Sequence, residues 1–187
     1  MNLYLFGGSF DPPHLGHREI INYFMKDSDL FVICPTYHSP LKESPPQASF
    51  KDRKKMLELM IKKKYREKIL IIDHESKKKS SFSVETIKDL EREFTNYKIN
   101  MIIGADQYNK IELWKEYKYI LNNVDLHIIS RPGATINKQS NRYDYIDKFS
   151  MDISSSYIRE NIKISKNVKS LIDSKVFKYI SANRLYN

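Results

Sequence analysis

The sequence is poor in cysteine and glycine. Cys34 is the single cysteine among 187 residues, so a disulfide within the chain is excluded. We expect Cys34 to be a small buried residue at the end of a strand. Glycine occurs five times, and three of the five lie between Gly7 and Gly16. This concentration indicates a segment whose backbone turns tightly or approaches a ligand closely.

Long apolar runs are also lacking. No uninterrupted run approaches the ~20 residues that span a bilayer. The first residues show no charged region followed by an apolar stretch and a cleavage site. We therefore expect a cytoplasmic protein with no membrane segment. Because 41 % of the residues are hydrophobic and 12 % aromatic, the chain can build a core, and we expect one domain over residues 1–187.

Acidic residues are outnumbered, 23 against 32 lysines and arginines, which gives a net charge of +9. Basic proteins attract nucleic acids, membranes or small polyphosphates. The basic runs, at 51–55, 62–64 and 77–79, are scattered over predicted helices and connections. We interpret them as a solvated surface. A nucleic-acid-binding module stays open as an alternative, and it would bind DNA or RNA with a steep salt dependence.

Short apolar runs alternate with helical patterns along the chain. This alternation predicts an α/β fold, with a parallel sheet covered by helices on both faces and a helical C-terminal part. Ligands of such sheets bind at the carboxyl ends of the strands. Residues 35–49 and 132–145 are predicted loops. The predicted strands are 3–6, 30–34, 69–72, 99–103 and 124–130, and the predicted helices are 15–26, 49–64, 83–94, 111–119, 154–162 and 168–183.

The segment 7–17 reads Gly-Gly-Ser-Phe-Asp-Pro-Pro-His-Leu-Gly-His and joins the first strand to the first helix. The glycine pair lets a ligand approach the backbone, and the helix start presents N–H groups to an anion. His14 and His17 share one face of the first helical turn, where they can donate hydrogen bonds to phosphate oxygens. The plain alternative is a pair of polar residues near a helix start.

A second anion site is predicted at residues 153–159, Ile-Ser-Ser-Ser-Tyr-Ile-Arg. Ser154 is a good helix N-cap. The serine hydroxyls, the exposed N–H groups and the charge of Arg159 together suit a phosphate. A plain capped helix is the alternative.

These two motifs resemble those of the nucleotidylyltransferases that carry His-x-Gly-His on a Rossmann-like fold. Within that group they are similar to bacterial nicotinate-nucleotide adenylyltransferases, whose Gly-Gly-(Thr/Ser)-Phe-Asp-Pro-Pro-His-x-Gly-His opening is matched throughout by residues 7–17. Residues 153–159 are similar to the family's Ile-Ser-Ser-Thr-x-Ile-Arg, with Ser156 in the threonine position. The resemblance implies direct in-line transfer of AMP from ATP to nicotinate mononucleotide, forming nicotinate adenine dinucleotide and pyrophosphate in NAD biosynthesis.

Two further matches lie between these motifs. Gly104-Ala105-Asp106, Trp114 and residues 131–133 are similar to the family's Gly-Ala-Asp…Trp…Arg-Pro-Gly pattern. The segment 81–86 is similar to Ser-Tyr-Thr-x-(Asp)-Thr, whose first threonine binds the nicotinate carboxylate and corresponds here to Ser83. The alternatives are a helix-capping aspartate, a core tryptophan and a helix N-cap at Ser83. We assign the helix containing Arg53 mainly to packing.

The resemblance implies three groups of site residues and no protein metal ligands. The catalytic group is His14, His17 and Arg159. The ATP-binding group is Gly7, Gly8, Ser9, Phe10, Lys42, Gly104, Asp106, Ser154, Ser155, Ser156 and Arg159. The mononucleotide-binding group is Thr36, Ser83, Trp114 and Arg131.

The loop after the second strand departs from the family pattern Pro-Asn-x-x-Pro-Pro-His-Lys. Thr36 replaces its asparagine and Leu41 its histidine, whereas Lys42 is kept. The implied partners are ATP with its Mg²⁺ and nicotinate mononucleotide, with no nucleic acid and no membrane. Nicotinamide mononucleotide or phosphopantetheine are alternative acceptors, and the chain is a monomer or a homo-oligomer.

Overall fold

The structure is a computed structural model that describes residues 1–38, 44–79, 81–130, 136, 143–147, 149, 153–162 and 166–186. Within those ranges six strands form one sheet, and every neighbouring pair is parallel. The strands are β1 (Asn2–Gly8), β2 (Leu30–Pro35), β3 (Ile69–Ile71), β4 (Lys98–Gly104), β5 (Asp125–Ile129) and β6 (Tyr143–Ile146).

The same ranges contain α-helices and short 3₁₀ helices on the connections between strands. The α-helices are α1 (Leu15–Phe24), α2 (Phe50–Met60), α3 (His74–Lys78), α4 (Ser83–Glu93), α5 (Ala105–Tyr108), α6 (Tyr117–Asn123), α7 (Ser155–Asn161) and α8 (Ser174–Ala182). The 3₁₀ helices are Lys63–Lys68, Ile111–Leu113 and Lys166–Leu171. None of the helices in the described ranges is long and apolar enough to cross a bilayer.

The strand order is β3-β2-β1-β4-β5-β6, with β1 at the centre. The chain runs outward from β1 to β3 and then returns to the other side of β1 as β4. In parallel sheets this reversal leaves a crevice at the carboxyl ends of the two central strands. Gly8 ends β1 and Gly104 ends β4. These two of the predicted site glycines therefore lie at the crevice. The predicted α/β class and parallel sheet are confirmed.

Side chains of the central strands alternate between two apolar cores, one on each face of the sheet. Tyr4 and Phe6 belong to the core formed with α1, α2, α7 and α8. Leu3 and Leu5 belong to the core formed with α4, α5 and α6. This alternation follows from the period-2 geometry of a strand. Because both faces are covered, β1 presents its functional groups only at its carboxyl end.

One predicted loop is wrong in part, since β6 takes up the last three residues of the predicted loop 132–145. The predicted loop rested on the polar composition of that stretch. Pairing with β5 forms the strand instead, in a register that joins Ile129 to Ile146. Ile146 is buried, and its carbonyl accepts a hydrogen bond from the Ser130 amide at 2.9 Å. A tertiary partner thus overrides local composition.

Three predicted helices end or are interrupted at points where their apolar patterns continue. The predicted helix 49–64 ends at Met60 because Ile61 is extended. The predicted helix 111–119 divides at Glu116, whose φ of 51° lies in the left-handed region. The predicted helix 168–183 divides before α8, where the Asp173 carboxylate accepts the Lys175 amide at 2.9 Å. In each case apolar residues continue at helical spacing past the point where the backbone leaves the helix.

We expect Ile33→Ala to destabilise the fold by about 2–5 kcal/mol, because it empties a fully buried position on β2. Urea unfolding gives the free energy. Leu113→Ala is the matched control, since Leu113 is 69 % exposed. Equal losses in the two variants would contradict the assigned core.

Candidate active site

The two histidines meet where β1 passes into α1. His14 is the N-cap of α1, and its backbone amide donates to Nδ1 of His17 at 3.2 Å. The two rings are stacked, with centroids 3.7 Å apart. Because Nδ1 of His17 accepts this bond, the proton of the neutral ring lies on Nε2. The helix start therefore defines the tautomer as well as the position of His17.

A side chain would be tightly packed at two glycine positions around these rings. A Cβ on Gly8 would lie 3.1 Å from Cζ of Phe10, and one on Gly16 would lie 3.1 Å from the ring of His14. Phe10 has a φ of 49° and packs edge-on against His17, with centroids 4.9 Å apart. Gly7 is different, because nothing lies within 4 Å of the place its Cβ would take. Its exposed backbone is open to a ligand.

The start of α7 docks directly on the loop between β1 and α1. The Ser155 hydroxyl donates to the carbonyl of Pro12 at 2.9 Å. Nη1 of Arg159 donates to the carbonyl of Asp11 at 2.7 Å, although the two residues are 148 positions apart. Ser154 caps α7 as predicted, its hydroxyl accepting the amide of Tyr157 at 3.1 Å. The two predicted phosphate-binding motifs are thus brought together.

The Arg159 guanidinium makes two hydrogen bonds to described residues and has further N–H donors. Its Nη2 donates to the Ser156 hydroxyl at 3.2 Å, while Nη1 is taken by the Asp11 carbonyl. A guanidinium carries five N–H donors. Donors beyond these two contacts are therefore available for anionic oxygens, next to a loop that already carries the histidines.

Sequence reasoning missed the carboxylate of Asp11, which is only 2 % exposed. Its oxygens accept the backbone amides of Gln47 at 2.7 Å and Ala48 at 3.0 Å, and the hydroxyl of Tyr186 at 2.8 Å. We call this set the Asp11 cluster: Asp11, Gln47, Ala48 and Tyr186. Asp11 stands within the quoted motif, but its burial, which makes these hydrogen bonds necessary, is not visible in the sequence.

Arg53 was assigned mainly to packing, and it does more. It is buried, and burial lowers the pKa of its guanidinium despite the nearby charge of Asp11. Nη1 donates to the carbonyl of Ser9 at 2.7 Å, and Nε donates to that of Ala48 at 3.2 Å. Arg53 therefore ties α2 to the histidine loop at Ser9 and to the segment before α2 at Ala48.

Two other predicted residues, Thr36 and Asp106, follow strands that end at this edge of the sheet. The amide of Thr36 donates to the Gly8 carbonyl at 2.8 Å, so Thr36 lies beside the end of β1. Asp106 lies in the first turn of α5 and accepts the side-chain amide of Gln107 at 2.9 Å. Trp114 is half-buried, and its Nε1 is buried with no hydrogen-bond partner among the described residues.

Ser83 is the first residue of α4, and Phe82 occupies the N-cap position. The expected alternative of Ser83 as the N-cap is therefore wrong. Three residues of the sequence-based hypothesis, Leu41, Lys42 and Arg131, lie outside the described residues.

A second buried carboxylate, Glu75 of α3, binds the backbone that follows β2. It accepts the backbone amide of Tyr37 at 3.2 Å, and the neighbouring Ser81 hydroxyl accepts that of His38 at 2.9 Å. Burial raises the pKa of Glu75. Burial and then the Glu75 charge raise the pKa of Cys34, which is buried at the strand end as expected. Cys34 is thus a poor nucleophile, and Glu75 with Ser81 anchors the segment that follows Thr36.

Metal-binding side chains do not gather at this edge. Across the part of the chain that the structure describes, no three His, Cys, Asp or Glu side chains lie together as a metal site requires. A divalent ion at this site would have to be held mainly by the oxygens of a bound ligand.

Comparison with known proteins relates the whole chain to one group. A family model described as cytidylyltransferase-like matches residues 5–161. A probable nicotinate-nucleotide adenylyltransferase of Flavobacterium psychrophilum is 31 % identical, with 100 % of this chain and 99 % of the relative covered. A probable nicotinate-nucleotide adenylyltransferase of Leptospira interrogans is 32 % identical, with 98 % and 96 % covered.

A solved structure shares the fold. The nicotinic acid mononucleotide adenylyltransferase of Plasmodium falciparum, complexed with NaAD, matches with a TM-score of 0.85 at 23 % identity. The match covers 99 % of this chain and 97 % of that one. At this identity the likeness establishes the α/β architecture alone.

We expect the stability of the protein to depend on pH through Glu75. A raised pKa in the folded state means that its contribution is present below the ordinary value of 4.5 and is lost as pH rises through the folded value. The free energy of unfolding of the native chain should therefore fall relative to that of Glu75→Gln as pH increases above about 4.5.

Urea unfolding over a pH series measures this difference. Glu67→Gln is the control, because Glu67 is exposed. A difference between the native chain and Glu75→Gln that is the same at every pH would contradict the assignment.

Proposed function

The chain belongs to the nicotinate-nucleotide adenylyltransferases of the cytidylyltransferase-like family, and from this membership we propose that it transfers AMP from ATP to nicotinate mononucleotide. The products are nicotinate adenine dinucleotide and pyrophosphate, a step of NAD biosynthesis. The observation that carries the proposal is the docking of Arg159 and Ser155 on the loop that holds His14. This docking supports the proposal because it brings the two motifs assigned to phosphate into direct contact.

The proposed reaction is one in-line displacement. An oxygen of the mononucleotide 5′-phosphate forms a bond to the α-phosphorus of ATP. The bond from that phosphorus to the oxygen bridging to the β-phosphorus breaks, and its electron pair leaves with pyrophosphate. No protein nucleophile is required, which agrees with the raised pKa of the buried Cys34. Catalysis then depends on alignment and on donors aimed at developing charge.

We assign His17 to the reacting phosphates, because its Nδ1 is occupied and its Nε2–H can donate. His14, stacked on it, is assigned to the same centre. Arg159 and the serines of α7 are assigned to the β- and γ-phosphates. Gly7 and the first amides of α1 offer backbone contact with the triphosphate. Lys42 stays a weaker candidate for the same charge.

The substrate is proposed to be ATP carrying Mg²⁺. A family that uses ATP in nucleotidyl transfer generally works with a divalent ion. Phosphate oxygens suit Mg²⁺ as ligands, and the ion would neutralise charge on the departing pyrophosphate. The protein's part is to bind those phosphates through nitrogen and hydroxyl donors.

The mononucleotide is assigned to the side of the crevice formed by β2, α4 and α5. Trp114 supplies a flat face for the pyridine ring. Its buried Nε1–H has no hydrogen-bond partner among the described residues. Ser83 supplies a hydroxyl for the pyridine carboxylate. Thr36 and Arg131 complete the proposed set, with Thr36 held through its amide on Gly8.

Two alternatives are weighed against this function. Another acceptor, nicotinamide mononucleotide or phosphopantetheine, would use the same phosphate machinery. A nucleic-acid-binding module would explain the charge, but lysines of the basic runs pair with carboxylates, as Lys55 does with Glu58 and Lys77 with Asp73. The proposed substrates are soluble metabolites, which supports a cytoplasmic location and needs no membrane.

The acceptor is tested by pyrophosphate release from ATP with each acceptor in turn. We expect turnover with nicotinate mononucleotide to exceed that with nicotinamide mononucleotide or phosphopantetheine. Ser83→Ala should raise KM for nicotinate mononucleotide and leave KM for ATP unchanged, because the lost hydroxyl is assigned only to the pyridine carboxylate. Equal turnover with the acid and the amide would overturn the assigned specificity.

The role of His17 is tested by His17→Ala. Loss of one preorganised donor lowers turnover by about 10²- to 10³-fold, and we expect a fall of that size with the fold retained by circular dichroism. His74→Ala is the matched control, since His74 lies on α3 beside Asp89 and away from the loop. Near-normal turnover of His17→Ala would refute the role.

A further inference from the structure

We infer that Tyr186 is a positioning residue for triphosphate binding: its phenol holds the Asp11 carboxylate, and Asp11 in turn holds Arg159 and the histidine loop. The inference rests on the proposed function, since ATP is the ligand that Arg159 is assigned to bind. Tyr186 itself has no proposed contact with substrate. Its effect passes through the Asp11 cluster.

The Asp11 carboxylate depends on hydrogen-bond donors from the protein. It is buried, and a buried carboxylate is strongly destabilising unless hydrogen-bond donors replace water. Three donors do so: the amides of Gln47 and Ala48 and the hydroxyl of Tyr186. The hydroxyl and the Ala48 amide share Oδ1, so removal of the hydroxyl leaves that oxygen with one of its two donors.

The Tyr186 phenol keeps its proton. Burial and the negative charge of Asp11 both raise the pKa of the phenol far above its ordinary value. The phenol is therefore neutral at any physiological pH. It donates to the carboxylate and never opposes it with a second negative charge.

The Asp11 cluster is joined to the candidate active site through two backbone carbonyls. The backbone carbonyl of Asp11 accepts Nη1 of Arg159, and that of Pro12 accepts the Ser155 hydroxyl. Displacement of Asp11 would shift the two successive peptides that carry these acceptors. Arg159 also lies 3.9 Å from Oδ2 of Asp11. The Tyr186 hydroxyl thus stands two hydrogen bonds away from the guanidinium proposed to bind phosphate.

A second tyrosine provides a matched control. The Tyr179 hydroxyl donates to Oδ1 of Asp52 at 2.9 Å, and it joins α8 to α2 in the same part of the molecule. The two bonds have the same donor and acceptor types. Asp52 lies on α2, and its carboxylate contacts Ser49 instead of the histidine loop. Loss of the Tyr179 bond therefore reports the effect of one tyrosine–aspartate bond on stability alone.

The experiment compares Tyr186→Phe with Tyr179→Phe in the full chain. Calorimetric titration with ATP and Mg²⁺ measures affinity, and steady-state assays give kcat and both KM values. A small misplacement of a binding group can lower catalysis by about a hundredfold. We expect Tyr186→Phe to weaken ATP affinity and kcat/KM for ATP by about tenfold to a hundredfold, with KM for the mononucleotide unchanged.

Tyr179→Phe should retain the native affinity for ATP at a similar thermal midpoint. ATP affinities that match in the two variants would overturn the inference, as would a loss shared equally between the KM values for both substrates. A wild-type chain that binds ATP but does not adenylylate nicotinate mononucleotide would instead overturn the proposed function, and the ATP affinities would still decide the role of Tyr186.

Hydrogen exchange of the wild-type chain tests the same coupling without a variant. Since coupling between sites is reciprocal, ATP with Mg²⁺ should slow exchange of the Gln47 and Ala48 amides, which bind Asp11. The amide of Asn183, which donates to Tyr179 at 3.0 Å, is the internal control. Exchange at residues 47 and 48 that does not change when ATP binds would overturn the inference.

Discussion

A carboxylate held away from water lies at the meeting point of three distant parts of the chain. Asp11 belongs to the loop after β1, Gln47 and Ala48 precede α2, and Tyr186 follows α8. Burial of a charge is unfavourable unless donors surround it. The three segments must therefore assemble together before the charge of Asp11 is satisfied. The position of the histidine loop depends on that assembly.

Arg53 and Arg159 both bond to the backbone of the loop that contains Asp11. Arg53 is buried and binds the Ser9 and Ala48 carbonyls, whereas Arg159 binds the Asp11 carbonyl and its side chain is 24 % exposed. Arg53 is thus enclosed by the protein, and Arg159 is partly open to a ligand. A preorganised donor next to a loop of exposed backbone is what phosphoryl-type transfer requires.

The opposite side of the crevice is built differently. Glu75 and Ser81 hold the backbone of Tyr37 and His38 by hydrogen bonds, and burial raises the pKa of Glu75. In the proposed assignment the Asp11 side binds a polyanion and needs fixed positive charge close by. The Glu75 side would hold a loop next to a flat, mainly apolar ring, for which Trp114 is the proposed partner.

The predictable part of the fold was the part with strong local patterns. Fully apolar runs such as Leu3–Phe6 indicated buried parallel strands, and Ser154 was recognised as a cap because capping depends on the adjacent amides. The strand β6 was not predicted, since Tyr143–Ile146 has a mixed composition and pairs only because β5 lies beside it. The breaks at Glu116 and Ile61 were missed because apolar spacing continues through them.

By itself the sequence determined the alternation of strands and helices, the glycine and histidine loop and the family to which it belongs, because these depend on neighbouring residues or on a contiguous motif. Only the tertiary structure decided that Arg53 ties the loop to α2, that Asp11 is buried and that Tyr186 binds it. Those contacts join residues up to 175 positions apart. A hydrogen bond over that separation leaves no periodicity in the chain, and it exists only when the sheet has ordered its strands.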